Sequence, residues 1–322
     1  MQQIDQAPEQ ALAWADAGQG AALATVIETW GSAPRRVGAQ LVVAGDGAME
    51  GSVSGGCVEG AVVLEARDVI ENGGTRVLEY GVSDGDAFAV GLACGGTIRV
   101  LVEPIGDGGM PVEMLRELVA ARAARTQIAY EVALDGSARA LVREGHADRF
   151  RMDRSGVTED GATFVAIHNP PLRLVVVGGV HIAQHLVSMA QGAGFDPLVI
   201  DPREAFGAAA RFPQARVIND WPDDAINEVG IDARTALVLL THDPKLDDPA
   251  LEIALRSDVF YIGALGSKRT HAARVERLTG AGFSEAQIAR IHGPVGLDIG
   301  AAGPAEIAVS ILAQMIQTLR KP

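Results

Sequence analysis

The chain has 322 residues, of which 48% are hydrophobic, 21% charged and 4% aromatic, and its formal net charge is −14 at pH 7. This profile is typical of a globular protein with room for two domains and a substantial core. The acidic balance repels nucleic acids and anionic membranes at long range, so we expect neither as a partner. An anionic ligand would need local arginines, helix N-termini or backbone N–H groups.

The sequence predicts a cytoplasmic protein. The first residues, MQQIDQAPEQALAW, are polar and acidic and lack the basic start and apolar run of a signal peptide. We find no apolar stretch as long as a membrane span in the sequence. Two cysteines are too few for a disulfide framework, which agrees with a reducing compartment.

The first half, residues 1–167, predicts a mixed α/β domain. Hydrophobic periodicity, Pro8 and a stop at Gly18 predict an opening helix. Two further helices are predicted over 57–71 and 112–125. Strands are predicted over 21–29, 40–47, 75–82 and 97–105, with three weaker strands leading to about residue 167.

The second half, residues 168–322, predicts a doubly wound, Rossmann-like parallel sheet. Pro170 and Pro171 interrupt both helix and strand patterns and mark the predicted domain boundary. After them strands and helices alternate, which is the pattern of parallel α/β sheets. The predicted strands are 172–179, 197–201, 215–219, 235–241 and 259–266, and the predicted helices are 181–194, 247–257, 267–282 and 304–320.

A glycine turn, VVGGVHIA, ends the first strand of this second half. Aligned with the dinucleotide fingerprint G-x-G-x-x-G/A, it places Gly178, Val180 and Ala183 at the three marked positions. Asp201 follows at the end of the next strand, where an acidic residue is expected. Val180 stands where a glycine would admit a pyrophosphate, and Gly179 compensates only if the turn shifts by one residue.

Other residues near the carboxyl ends of these strands complete a candidate nucleotide or anion site. Ser267 is a predicted helix N-cap and Lys268 adds a positive charge beside it. His181 starts the helix after the glycine turn, and Arg203 follows the second strand. The alternative for each of these residues is capping or a solvated charge.

Two glycine-rich loops in the first half each carry one of the two cysteines. GSVSGGCVEG contains Cys57 and GLACGGTIRV contains Cys94. Such loops expose backbone N–H groups, and a helix starting near Cys57 would favour its thiolate. We expect these loops to form a site for an anionic ligand that also accepts a sulfur donor. The expected contact residues are Ser54, Gly55, Gly56, Cys57, Cys94 and Gly95. Two small buried thiols are the alternative.

Arg35 and Arg36 lie in a third loop, GSAPRRVGA, and suit the capture of a phosphate. Neither cysteine belongs to a C-x-x-C pair, so a zinc site is not expected.

These stretches resemble one family. GSAPRRVGAQLVV, GSVSGGCVEGAVVLEA and GLACGGTIRVLVEP are similar to the N-terminal domain of the XdhC/CoxI family, the xanthine dehydrogenase accessory proteins. VVGGVHIAQHL, VIDPRE, THDPKLDDPAL, YIGALGSKRTHAARVERL and GPVGLDIGAAGPAEIAVSILAQM resemble its C-terminal Rossmann domain. The resemblance covers about residues 20–320. It departs from the family pattern at Val180, where the family usually has the second glycine of the turn.

The resemblance implies a molybdenum cofactor chaperone and not an enzyme. Such a protein would bind molybdopterin cofactor, protect it, present it to a cysteine desulfurase for sulfuration and deliver it to a molybdenum hydroxylase such as xanthine dehydrogenase. Arg35, Arg36 and the Cys57 loop would then face the cofactor phosphate, and Cys57 and Cys94 would contact molybdenum or relay sulfur. A homodimer is a family-level expectation.

Two other functions are weighed against this one. An NAD(P)-dependent oxidoreductase would use the Rossmann-like half, but Val180 counts against it and the sequence offers no convincing proton donor. A cysteine-based redox or acyl-transfer enzyme built on Cys57 would need a base from outside residues 1–145, which contain no histidine. The sequence does not distinguish a mononucleotide from a dinucleotide form of the cofactor, nor one hydroxylase from another.

Overall fold

The structure, a computed structural model, describes residues 6–31, 33, 35–81 and 96–321. The chain divides into two compact units between Pro170 and Pro171. The domain boundary predicted from sequence, 167/168, falls a few residues before this point. Among the described residues, no helix combines the length and apolarity needed to cross a membrane.

The first unit contains two antiparallel sheets and four helices among its described residues. Its helices are α1 (Ala7–Asp16), α2 (Glu59–Asn72), α3 (Val112–Ala123) and α4 (Ala147–Met152). Its strands are β1 (Ala21–Trp30), β2 (Gln40–Ala44), β3 (Met49–Gly51), β4 (Arg76–Tyr80), β5 (Thr97–Pro104), β6 (Ile128–Ala133), β7 (Arg139–Val142), β8 (Gly156–Val157) and β9 (Thr163–His168).

The larger sheet of this unit has the strand order β3-β2-β1-β5-β4, with every neighbouring pair antiparallel. Helix α2 packs on one of its faces because Val62, Ala66 and Val69 repeat at helical spacing and are fully buried with the apolar side chains of β1, β2 and β5. The smaller sheet, β7-β6-β9-β8, is also antiparallel.

Three connections leave the same end of the larger sheet. Trp30, the last residue of β1, pairs with Thr97, the first residue of β5. Strand β4 ends at Tyr80, beside the start of β5, and β3 ends at Gly51, beside the start of β2. Antiparallel pairing therefore puts the last residues of β1, β3 and β4 at one end of the larger sheet.

The second unit is a parallel sheet covered by helices. Its strands are β10 (Leu172–Val177), β11 (Phe195–Ile200), β12 (Arg216–Ile218), β13 (Thr235–Leu239), β14 (Tyr261–Ala264) and β15 (Ile291–His292). Its helices are α5 (His181–Gly192), α6 (Pro222–Val229), α7 (Pro244–Leu255), α8 (Lys268–Gly280), α9 (Glu285–Ile288) and α10 (Pro304–Arg320). A short 3₁₀ turn lies at Ala209–Arg211.

The six strands are all parallel, in the order β12-β11-β10-β13-β14-β15. This is the doubly wound arrangement, in which the strand order reverses between β10 and β13. Strand β13 is fully buried along its length because helices cover both faces of the sheet. The predicted α/β class and the Rossmann-like second half are confirmed.

Helix boundaries account for most differences from the predicted elements. Helix α2 begins at Glu59 and not at Cys57, so the cysteine belongs to the loop. Helix α7 begins at Pro244, with Asp243 as its N-cap, ahead of the predicted start at residue 247. Strand β3 and helices α4, α6 and α9 were not predicted, because three to eight residues carry too little periodicity to recognise.

Candidate functional site

One end of the larger sheet in the first unit brings two of the predicted loops together. Residues 31–39 follow β1 and residues 52–58 follow β3, and the two strands end at the same edge. The side chain of Arg35 reaches the second loop, where its Nε donates to the carbonyl oxygen of Ser52 at 3.2 Å. The structure therefore joins the arginine loop to the cysteine loop by a direct hydrogen bond.

Cys57 lies at the exposed tip of its loop. It is a free, exposed cysteine, and Gly55 and Gly56 beside it are also exposed. Gly56 has φ = +113°, and a methyl group at its α-carbon would meet nothing within 4 Å. The thiol thus faces open space on a backbone that carries little side-chain bulk.

The N–H groups of this loop have a partner within the chain. The Glu59 carboxylate accepts from the N–H groups of Val53 and Ser54 through Oε1, at 3.2 and 2.9 Å, and from that of Gly56 through Oε2, at 2.8 Å. The Gly55 N–H donates to the Ser52 hydroxyl at 2.8 Å. The donors expected to face a ligand phosphate are therefore directed to Glu59 and Ser52.

Ser54 belongs to the support of the loop. Its side chain is buried, its hydroxyl donates to Glu59, and the same oxygen accepts from the Val58 N–H at 2.9 Å. Burial by itself would raise the pKa of Glu59, but hydrogen bonds from the Ser54 and Ser52 hydroxyls and from the Ser54 backbone outweigh it and hold the pKa at about 2. Glu59 is therefore a fixed negative charge under the loop.

The two arginines of the neighbouring loop differ in setting. Arg35 is half-buried against Ser52, whereas Arg36 is exposed. With the N–H groups of the Cys57 loop directed inward, the Arg35 guanidinium is a positive group that the structure joins to that loop and that suits a phosphate.

The second cysteine loop, with Cys94 and Gly95, belongs to residues 82–95, which lie outside the described residues. Within the described part of the chain, no group of three or more His, Cys, Asp or Glu side chains is arranged to hold a metal ion.

In the second unit, the glycine turn after β10 is buried. Gly178 has φ = +107°, and a Cβ there would meet the Thr241 side chain at 2.7 Å, which explains why this position is glycine. The Gly179 N–H, which would face a pyrophosphate, donates to Asp201 Oδ2 at 2.9 Å. The turn is therefore closed by an acidic residue of its own fold.

Asp201 is fully buried and also pairs with Arg203. The Arg203 Nε and Nη2 atoms donate to its two carboxylate oxygens at 2.9 and 2.8 Å, and the Arg203 N–H adds a third bond at 3.0 Å. Burial would raise the pKa of Asp201, but these hydrogen bonds and the Gly179 N–H lower it overall. Its oxygens are thus engaged within the protein.

The chain after Asp201 covers the glycine turn. A Cβ on Gly179 would lie 2.3 Å from the Phe206 carbonyl oxygen, so backbone occupies the space above the turn. Arg211 donates through Nη1 to the Phe206 carbonyl oxygen at 2.7 Å and to that of Gly179. The Arg203 guanidinium stacks on the Phe206 ring, 4.2 Å from its centroid.

The remaining residues of the predicted nucleotide site are dispersed around this edge. Ser267 is the N-cap of α8 and accepts from the Thr270 N–H at 3.2 Å, so the predicted cap is confirmed. Lys268 is exposed in the first turn of α8, and His181 is exposed at the start of α5. Strand β13 separates the strand before Ser267 from the strand before Gly178.

Sequence reasoning missed Glu59 and Phe206. Glu59 carried a usable signal, because an acidic residue in the first turn of a helix, three positions after an exposed glycine, is placed to accept from the backbone of the preceding loop. Phe206 carried no usable sequence signal, because its position over the turn depends on how residues 202–211 fold back.

The fold and the site together define an α/β protein with an exposed thiol in a glycine-rich loop of one unit and a closed glycine turn in a Rossmann-like second unit. Residues 14–81 match the family model described as the XdhC and CoxI family, and residues 174–315 match the model of the XdhC Rossmann domain. The chain belongs to the XdhC and CoxI family, and the resemblance drawn from its motifs is confirmed.

Relatives of known name cover nearly the whole chain. The molybdenum cofactor insertion chaperone PaoD of Escherichia coli (strain K12) is 31% identical over 298 residues, which is 92% of this chain and 83% of PaoD. A Bacillus subtilis (strain 168) protein named as a probable xanthine dehydrogenase subunit is 28% identical over 319 residues, 94% of each chain. A crystal structure described as a xanthine dehydrogenase from Bacillus halodurans superposes with a TM-score of 0.65 at 28% identity, covering 97% of this chain and 95% of that chain.

Proposed function

We propose that this protein is a molybdenum cofactor chaperone. It binds molybdopterin cofactor as cargo, protects it, presents it for sulfuration and delivers it to a molybdenum hydroxylase of the xanthine dehydrogenase type. The observation that carries the proposal is the exposed Cys57 thiol in a loop to which Arg35 is hydrogen-bonded. The named chaperone among its relatives and the relatives named after xanthine dehydrogenase support it.

The residues of the first unit fit such a cargo in two respects. A thiolate is a suitable ligand for a soft metal such as molybdenum, and Cys57 presents its sulfur in open surroundings. Arg35 and the exposed Arg36 supply donors for a phosphate, while Gly55 and Gly56 allow a bulky ligand to approach the backbone. In this proposal Cys57 holds the metal end and the arginines hold the phosphate end.

The proposal has finer parts that rest on the family. They are a cysteine desulfurase as the sulfur donor, a hydroxylase as the recipient, a homodimer, a cytoplasmic location and a role for Cys94 and Gly95 beside Cys57. In this scheme the protein is an accessory factor and does not itself turn over xanthine.

An oxidoreductase using NAD(P) is not favoured by the second unit. The Gly179 N–H and the Asp201 carboxylate, which such an enzyme would use for the pyrophosphate and the ribose, bond to each other. Phe206 and Arg211 lie over the same turn. A dinucleotide in the usual pose would have to displace these contacts.

Cargo retention tests the chaperone proposal directly. Wild-type protein, Cys57→Ser and Cys57→Ala are mixed with released cofactor and desalted, and the molybdenum and pterin contents are measured. We expect near-stoichiometric retention by wild type and loss in both variants, because serine preserves the shape of the side chain but offers a hard oxygen in place of sulfur. Ser137→Ala, in an exposed turn, is the control.

The pattern of retention distinguishes the alternatives. If wild type retains no cofactor, the chaperone proposal fails. If Cys57→Ser and Cys57→Ala retain as much as wild type, the protein binds cofactor without the thiol, and Cys57 is left with a role in sulfur transfer or in structure.

A further inference from the structure

The carboxylate of Glu59 receives five hydrogen bonds from the loop that carries Cys57. Three come from backbone N–H groups, as described above, and two from hydroxyl groups. The Ser52 hydroxyl donates to Oε1 at 2.7 Å and the Ser54 hydroxyl to Oε2. Every one of these donors lies within the seven residues that precede Glu59, so one side chain organises one local segment.

Both chain neighbours of Cys57 are fixed by this arrangement. Gly56 donates its N–H to Glu59, and Val58 donates its N–H to the Ser54 hydroxyl, which is itself bonded to Glu59. Cys57 between them is exposed. The backbone on either side of the thiol is therefore held by hydrogen bonds.

The loop needs this support because of its composition. Gly55 and Gly56 adopt φ values of +75° and +113°, and glycines lose the most conformational entropy when they are fixed in one state. Without an acceptor, the N–H groups of Val53 and Ser54, two buried residues, would also lose their partners. By accepting these hydrogen bonds, the single buried carboxylate of Glu59 offsets both the entropic cost of fixing the glycines and the cost of burying the N–H groups.

The same carboxylate is linked to Arg35. Ser52 donates its hydroxyl to Glu59 and accepts from the Arg35 Nε with its carbonyl oxygen. Loss of Glu59 would remove the bond that holds the Ser52 side chain, while the Ser52 N–H still donates to the Gln40 carbonyl oxygen at 2.9 Å. The two groups assigned to opposite ends of the cargo are thus linked through Ser52 and Glu59.

We propose that Glu59 is a positioning residue that holds Cys57 and Arg35 in a fixed relation to each other. The inference rests on the proposed function, because binding the metal and the phosphate of the cofactor at the same time is the reason for holding these two residues together. The organisation of the loop itself can be measured on the protein without cargo, so the two claims are tested separately.

The experiment compares wild type with Glu59→Ala by amide hydrogen exchange and by cargo retention. We expect exchange at Val53, Ser54 and Gly56 to accelerate by at least about tenfold, because each N–H loses its acceptor. Cofactor retention should fall to background. Glu50→Ala, which removes an exposed carboxylate from β3 just before the loop, is the matched control and should change neither quantity.

A rescue by added acetate separates positioning from a general effect on folding. The truncated side chain leaves room for a small carboxylate at the loop, so acetate should restore amide protection and cofactor retention, whereas chloride at equal ionic strength should not. If Glu59→Ala does not fold, Ser52→Ala serves instead. It removes one donor to Glu59 and the acceptor of the Gly55 N–H, and should show a smaller acceleration at the same amides.

Unchanged exchange at Val53, Ser54 and Gly56 in both variants would overturn the inference. So would a Glu59→Ala protein that retains as much cofactor as wild type. If wild type itself retains no cofactor, the proposed function fails, and the exchange data still decide whether Glu59 organises the loop.

Discussion

Two carboxylates, Glu59 and Asp201, each accept the N–H groups of a glycine-rich turn in their own unit. Glu59 accepts from Val53, Ser54 and Gly56, and Asp201 accepts from Gly179. In both turns an acidic side chain takes the position that an anionic ligand would otherwise use. In these two turns the backbone donors expected to bind an anion are therefore occupied by the protein's own carboxylates.

The depressed pKa of Glu59 predicts a pH dependence of stability. Its pKa falls from 4.5 to about 2 on folding, so the unfolded chain binds the proton more readily. The stabilisation by Glu59 should be complete above pH 4.5 and should be lost progressively as the pH falls towards 2. Urea unfolding of wild type and Glu59→Gln over this range should therefore give a difference in unfolding free energy that shrinks with acidity.

The control for this experiment is Glu50→Gln, since Glu50 is an exposed carboxylate on the adjoining strand. Its difference from wild type in unfolding free energy should be small. A Glu59→Gln difference that stays constant across the acidic range would contradict the assigned pKa.

At the residue scale, sequence could predict groups whose role is local. Ser267 as an N-cap follows from the side chain and the helix start alone. The sequence did not predict that the N–H groups around Gly56 point inward. A glycine-rich loop has the same sequence pattern whether its N–H groups donate to a ligand or to Glu59. The cover of Gly179 by Phe206 depends on a chain reversal that no local pattern specifies.

At the scale of elements, β3 and the loop after it depend on one glycine. Gly51 has φ = +91°, and a Cβ there would lie 2.3 Å from the Gln40 carbonyl oxygen. The sequence did not predict β3, because Met49–Gly51 is short and exposed and shows no alternation. Pairing with β2 nevertheless sets where the cysteine loop begins.

Gly51→Ala is expected to destabilise the protein by about 1–3 kcal/mol, because both the positive φ and the close carbonyl oppose a side chain. Gly60→Ala is the matched control. Gly60 lies in α2, where a Cβ would meet nothing within 4 Å, and alanine there should stabilise the helix by about 0.5–1 kcal/mol. Thermal unfolding of the two variants measures the contrast, and equal effects would refute it.

Longer elements were predictable because their periodicity is strong. The apolar strand β10 and the helices α5 and α10 lie close to the residues predicted for them. Helix α2 was placed two residues early, since Cys57 and Val58 continue its apolar pattern while the hydrogen bond from the Val58 N–H goes to the Ser54 hydroxyl.

At the scale of the molecule, each unit carries its own core. The two largest clusters of buried side chains draw their residues from 172–319, and the other three from 7–166. The alternation of strands and helices predicted the parallel sheet of the second unit. The pairing order of the antiparallel sheets in the first unit could not be predicted, because β1 joins β5 across a long stretch of intervening chain.

A fragment of residues 171–322 is therefore expected to fold independently. Its sheet has six parallel strands in a self-contained core, so urea unfolding should be cooperative and follow the same midpoint by fluorescence and circular dichroism. Trp221 supplies the fluorescence signal. A fragment that lacks a cooperative transition would show that the second unit needs the first to fold.

The closure of the cysteine loop upon Glu59 has a consequence for how the surface around it can change. The hydrogen bonds to Glu59 all come from within the eight consecutive residues 52–59, and the buried side chains of Val53 and Val58 anchor this segment in the core of the unit. Substitutions at exposed positions such as Leu64 can then accumulate without disturbing it. We therefore expect the backbone around the thiol to keep its conformation when exposed residues near it are replaced.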